Sequence, residues 1–145
     1  MKIFNLIFLL ILSVNLHATE VEVTDQERMI TVDVSIDKNM LPDDAEKWTL
    51  YVYAAKPNTR LPLSNFKGKL SQLPMKVELK QNMYLLPHLT LKQAEDVVIV
   101  AKATKHKNPH NKDGTDIMGF SPAISFENAN KLKAQVTIDQ MDKKR

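Results

Sequence analysis

The chain has 145 residues, 43% hydrophobic and 26% charged, the length and balance of one folded globular domain. Its 20 basic and 17 acidic residues leave a net charge of +3, a scattered lysine surplus too weak to make nucleic acid or an anionic membrane its partner. The absence of cysteine excludes a thiol nucleophile, a lipidated cysteine anchor and disulfide exchange, so stability has to come from an apolar core.

The N-terminus opens Met1-Lys2, runs apolar from Ile3 to Val14 and ends in Asn15-Leu16-His17-Ala18. A charged start, an apolar run and a small residue at the end form an export signal, and the run falls short of the roughly twenty residues a spanning helix needs. This pattern predicts a signal peptide over 1–18, cut after Ala18, and a periplasmic product with no stable membrane insertion after cleavage. An uncleaved anchor is the alternative, since Leu16 is bulkier than the usual residue three before a cut. Without Lys2, 19 basic residues face 17 acidic ones. A flexible acidic segment is expected over 19–27, the folded domain over 28–140 and a frayed tail over 141–145.

Met29 to Asp37 alternates. Ile30, Val32, Val34 and Ile36 face one way and Thr31, Asp33 and Ser35 the other, which predicts a strand with one buried face. Pro42-Asp43-Asp44 signals a turn. Trp48 to Ala55 is dominated by aromatic and β-branched residues, which suit a pleated surface. Trp48, Leu50, Val52 and Ala54 point to one side of it, Thr49, Tyr51 and Tyr53 to the other. Pro57-Asn58-Thr59 is a loop. Leu61-Pro62-Leu63 resumes an extended path that Phe66 to Leu70 continues, with Pro62 at an edge or bulge.

After Pro74, Met75, Val77 and Leu79 alternate with Lys76, Glu78 and Lys80. Gln81 to His88 is apolar but irregular. Thr90-Leu91-Lys92-Gln93 fits a capping box opening one helical turn that runs to Glu95. Val97 to Ala101 reads as a central strand buried on both faces. Thr104 to Thr115 is a long polar loop. Ile124 to Glu127 and Leu132 to Asp139 are the last strands, joined as a hairpin by Asn128-Ala129-Asn130. About seven short strands with almost no helix predict an all-β protein, an immunoglobulin-like antiparallel β-sandwich.

Residues that could carry chemistry are few. His106 and His110 lie four apart in the polar loop with Met118 nearby, and His and Met donors suit copper. A periplasmic copper carrier is therefore one reading, beside a solvated loop that contains two histidines. His88 reads as a partly buried histidine held by a backbone carbonyl. Met29, Met40, Met75, Met83, Met118 and Met141 are dispersed and read mostly as core filler. Asp43-Asp44 and Asp113/Asp116 belong to turns and loops, where Asp satisfies local backbone groups. No serine sits in a Gly-x-Ser-x-Gly turn, and three glycines form no phosphate-cradling loop. Nothing assembles a nucleophile, a base and an oxyanion site, so neither enzymatic activity nor a cofactor is expected.

The order of short motifs from Ile30 to Asp139 carries more. Val32-Asp33-Val34-Ser35-Ile36-Asp37 is followed by Leu50-Tyr51-Val52-Tyr53-Ala54-Ala55, then Leu61-Pro62-Leu63-Ser64. Leu73-Pro74-Met75-Lys76-Val77-Glu78-Leu79 and Asn82-Met83-Tyr84-Leu85-Leu86-Pro87 come next. Val98-Ile99-Val100-Ala101-Lys102-Ala103-Thr104, Thr115-Asp116-Ile117-Met118-Gly119 and Val136-Thr137-Ile138-Asp139 complete the series. In order and spacing it resembles the C-terminal immunoglobulin-like periplasmic domain of the CcmI/CycH-type subunit of bacterial cytochrome c maturation. The basic loop Lys105 to Lys112 is longer than the short turn of that family. Family members carry membrane helices and a tetratricopeptide region ahead of this module, whereas this chain reads as an export signal and the module alone.

The resemblance implies a non-enzymatic periplasmic module of cytochrome c biogenesis that holds apocytochrome c or a maturation protein, in the manner of a chaperone. Candidate partner contacts are Arg60 in the Pro57–Pro62 loop, Met83, Tyr84, Leu86 and His88 in the apolar stretch, and Lys105 and Lys107 in the basic loop. The copper carrier with His106, His110 and Met118 is the alternative. A structural or adhesive subunit is permitted by the fold alone.

Overall fold

The computed structural model describes residues 27–106 and 114–143. The expected signal peptide and its cleavage point lie outside the described residues. The chain forms β1 (Met29–Ile36), β2 (Thr49–Ala55), β3 (Pro62–Lys69), β4 (Met75–Lys80), β5 (Asp96–Thr104), β6 (Ile117–Phe120), β7 (Ile124–Ser125), β8 (Lys131–Ile138) and β9 (Gln140–Met141). Seven are of ordinary length, and β7 and β9 are two-residue pairings. A smaller sheet has the order β4-β1-β8. The larger one runs β3-β2-β5-β6-β9, with β7 alongside β5. The two pack as an immunoglobulin-like sandwich.

Alternation sets which face of each strand is buried. In β1, Ile30, Val32 and Val34 are buried; in β4, Val77 and Leu79 are; in β8, Val136 and Ile138 are. They meet Leu50, Val52 and Ala54 of β2 and Val97, Ile99, Ala101 and Ala103 of β5 in one continuous core. Burying a side chain of this size stabilises by about 1.5–3 kcal/mol, and a core without disulfides depends on that sum. Trp48 precedes β2. It is partly buried against the core and donates its Nε1–H to Asp44 Oδ1 at 2.9 Å. Pro62 pairs with Ala55 at a register shift on the edge strand β3, a position where its missing N–H leaves no gap in the ladder.

The expected helical turn forms over Leu91–Gln93, and its capping box joins Thr90 to Gln93 as the spacing predicts, though the turn stops short of Glu95. Arg28 secures it. Its Nη1 donates to the carbonyls of Leu91 and Ala94, and its guanidinium lies 4.5 Å from the Phe126 ring centroid.

Three expectations need correction. Asn128–Asn130 is no hairpin. β7 pairs with β5 in one layer, while β8 pairs with β1 in the other, and that pairing is parallel although every other one is antiparallel. The pairing aligns Leu132, Ala134, Val136 and Ile138 with Ile30, Val32, Val34 and Ile36, four inward residues against four, which a two-residue β7 cannot match. The tail is ordered further than expected: β9 includes Met141, and Asp142 N–H donates to the Asp116 carbonyl at 2.8 Å. Of the methionines read as core filler, Met118 is buried and Met40 and Met75 pack against the core, but Met141 is 46% exposed.

Candidate functional site

Pleating turns a second set of residues outward from the larger sheet. Three cross-strand rows run over β2, β5 and β6. Tyr51 lies opposite Lys102 and Lys102 opposite Met118. Tyr53 lies opposite Val100 and Val100 opposite Phe120. Ala55 lies opposite Val98. This face is not left to water: Tyr53, Ala55, Val100 and Met118 are buried as a second apolar cluster, with Tyr51 against it. Lys67 of β3 stands over the Tyr51 ring, 6.0 Å from its centroid.

Lys102 sits at the centre of this face between two carboxylates. Its Nζ is 3.4 Å from Asp116 Oδ2 and 3.2 Å from Asp142 Oδ2. Arg60 reaches Asp142 Oδ1 at 3.5 Å from the turn after β2. Burial pulls the Lys102 ammonium down, but the carboxylates of Asp142 and Asp116 outweigh it and leave it raised above its ordinary 10.5. Burial pushes the Tyr53 phenol above its ordinary 10.0. At the far end of the domain the Asp44 carboxylate is held below its ordinary 3.8, first by Lys105, whose Nζ lies 2.6 Å away, then by the Trp48 indole.

These shifts fix how stability follows pH. The folded chain binds the protons of Lys102 and Tyr53 more tightly than the unfolded chain does, so their contribution is whole below pH 10.0 and is lost as pH rises through the folded values. Asp44 has the opposite sign: its contribution is present above pH 3.8 and is lost as pH falls below that. Urea midpoints measured across pH are expected to show a plateau with both shoulders. Tyr53→Phe softens the alkaline one and Asp44→Asn the acid one; shoulders unchanged in both variants would refute the assignment.

The candidate partner contacts do not converge. Arg60 stands at the Ala55 end of β2 and Lys105 beyond Thr104, which pairs with Thr49 at the other end. A seven-residue strand separates them by roughly 20 Å. Lys105 is already bound to Asp44. Tyr84, Leu85 and Leu86 are exposed although the stretch is apolar. Met83 is only partly exposed and serves the turn, its carbonyl accepting Asn65 N–H at 2.9 Å and its sulfur Lys80 N–H at 3.4 Å. His88 is exposed, not the partly buried histidine expected, because it stands in a tight turn closed by Leu89 N–H donating to the Leu86 carbonyl at 3.0 Å. Lys107 lies outside the described residues.

The copper arrangement is altered in the same way. His110 lies outside the described residues. His106 Nε2 is 3.4 Å from Thr115 Oγ1. Met118, the third donor, points into the second apolar cluster and is 2% exposed, since its position in β6 puts it across from Lys102 on a covered face. Among the described residues, no three acidic or histidine side chains gather as a metal site. Ser64 and Ser121 are buried and give their hydroxyls to the carbonyls of Lys80 and Pro122, at 2.7 and 2.8 Å.

The Lys102–Asp116–Asp142 cluster is not legible in the sequence, where Asp116 reads as a loop residue that satisfies local backbone groups. It is instead 4% exposed and ion-paired. A lysine inside an otherwise apolar strand was the available signal, but its acids arrive through the pairing of β6 with β5 and β9, which periodicity does not encode.

Compared with known proteins, residues 30–139 match the family model described as the cytochrome c-type biogenesis protein H Ig-like domain. No curated protein and no solved structure matches the chain.

Proposed function

From the chain's membership of the cytochrome c-type biogenesis protein H Ig-like domain family, we propose that it is a non-enzymatic periplasmic binding module that holds apocytochrome c or a maturation protein while the cytochrome is assembled. Membership supports a part in cytochrome c maturation on the periplasmic side, and among the described residues no helix is long and apolar enough to cross a membrane. The observation that carries the reading is the extent of the match, which spans β1 through β8 and leaves out only the two-residue β9 among the described strands. A sandwich meets partners through its exposed loops and faces. This one presents the apolar Tyr84–Leu86 loop and a cation-rimmed outer sheet face. A chain without cysteine can hold a thiol-bearing client without trapping it as a mixed disulfide.

The test is crosslinking in cells with the tagged chain as bait, followed by mass spectrometry. Enrichment of apocytochromes or maturation subunits over a bait-free control is expected. Their absence from the crosslinked set would remove the reading.

A further inference from the structure

The two outer faces of the sandwich differ in kind. The smaller sheet shows Asp33, Lys76, Glu78 and Lys133 to solvent, with Thr31 half-buried among them, and its Lys76–Asp33 pair joins two well-exposed side chains. The larger sheet buries an apolar cluster on the side where a solvated antiparallel sheet is polar. On that cluster stands Phe120, 44% exposed, beside Arg60. Two clefts flank this pair, and both residues line each of them. One, of about 210 Å³, is closed by Val98, Val100 and the Lys56–Arg60 turn. The other, of about 250 Å³, is closed by Met118 and the Gln140–Lys143 segment.

The rim is cationic. Lys56 and Arg60 border the first cleft, Arg60 and Lys143 the second. The acid among the lining residues, Asp142, is already engaged by Lys102 and Arg60. Aromatic and arginine side chains over a buried apolar floor are the make-up of interface hot spots, and a guanidinium at the rim selects carboxylates.

We propose that this face docks an extended, acidic polypeptide segment of the client. Two apolar side chains, spaced two residues apart and so roughly 7 Å from each other, enter the clefts on either side of Phe120, and flanking carboxylates meet Arg60, Lys56 and Lys143. The assignment rests on the reading of the domain as a partner-holding module, and adds the face and the chemistry it selects.

The test uses the purified full chain and a fluorescein-labelled peptide with two leucines two residues apart, flanked by aspartates, read by anisotropy. A second peptide carries lysines in place of the aspartates. The aspartate peptide is expected to bind at least about tenfold more tightly than the lysine one. Arg60→Glu and Phe120→Ala are each expected to cost about tenfold. Lys133→Glu, an equal charge change on the opposite face, should stay within about twofold. Arg60 and Phe120 are exposed enough for their variants to fold, and thermal unfolding checks that they do. Equal binding of the two peptides, no binding, or an equal loss in Lys133→Glu overturns the proposal. Cellular recovery of maturation proteins with no peptide binding overturns this face and leaves the function standing. Peptide binding with no such recovery supports the face and removes the function.

Discussion

Gly119→Ala is expected to destabilise the domain by about 3 kcal/mol or more, enough to leave a large unfolded population. Gly119 lies in β6, opposite Ala101 of β5, where the larger sheet packs backbone to backbone against β8 of the smaller one. A Cβ at this position would stand 2.6 Å from the carbonyl carbon of Thr137, nearer still to its oxygen, and 3.1 Å from Ile138 Cα. All three are backbone atoms, so no rotamer change relieves the clash. Either β6 lifts away from β8, or β8 slides along β1 and loses the matched register of its four inward side chains. Gly68 supplies the contrast. A Cβ there would meet Gln72 Oε1 at 2.8 Å and the Phe66 ring at 2.9 Å, ends of side chains that can swing aside. Gly68→Ala is therefore expected to cost no more than about 1 kcal/mol. Urea unfolding of both variants decides the matter. Equal effects would mean that the β6–β8 approach is looser than described.

The motif Thr115-Asp116-Ile117-Met118-Gly119 includes Gly119 in the family resemblance, but does not give the reason glycine stands there. That reason involves Thr137, eighteen positions on, and alternation carries no information about which strands from opposite sheets touch. The same limit governs the fold more widely. Apolar periodicity named the inward faces of β1, β2 and β4, and the double burial of β5 followed from Val97 to Ala101 being uniformly apolar. Short-range chemistry was equally readable, as at the Thr90–Gln93 capping box and at Pro62 on its bulged edge. Partner choice was not: Leu132, Ala134, Val136 and Ile138 announce a half-buried strand, while its parallel pairing with β1 depends on the whole intervening chain. At the candidate site, Arg60 was legible as an exposed cation on a proline-bounded turn. Phe120 and the buried Met118 were not, because these two residues share one face of β6 and differ in exposure only through β9, which pairs beside Met118 and stops short of Phe120. His88 was misread because an apolar neighbourhood in sequence became an exposed loop in space.

Lys102→Ala is expected to cost about 3 kcal/mol, the lower end for removing one partner of a buried ion pair. The Lys102 side chain is 19% exposed, and those of Asp116 and Asp142 only 6% and 15%. Without the ammonium, two carboxylates share a largely dry pocket. Asp142 retains Arg60, but Asp116 retains nothing comparable: its Oδ1 is already buried with no hydrogen-bond partner among the described residues. The loss has a signature that simple loss of packing lacks. Burial and mutual repulsion raise the pKa of an unpaired carboxylate in the folded chain, and a group that binds its proton more tightly when folded gives back stability as pH falls. The deficit of Lys102→Ala relative to the natural chain is therefore expected to shrink between about pH 7 and about pH 5. A Lys102→Met/Asp116→Asn double variant, which removes the cation and its most buried carboxylate together, is expected to recover more than half of the loss at neutral pH, since paired removal leaves no orphaned charge. A deficit that is constant with pH and unrelieved in the double variant would make Lys102 a packing residue. The outer face of the larger sheet would then owe its shape to the apolar cluster of Tyr53, Val100 and Met118 alone.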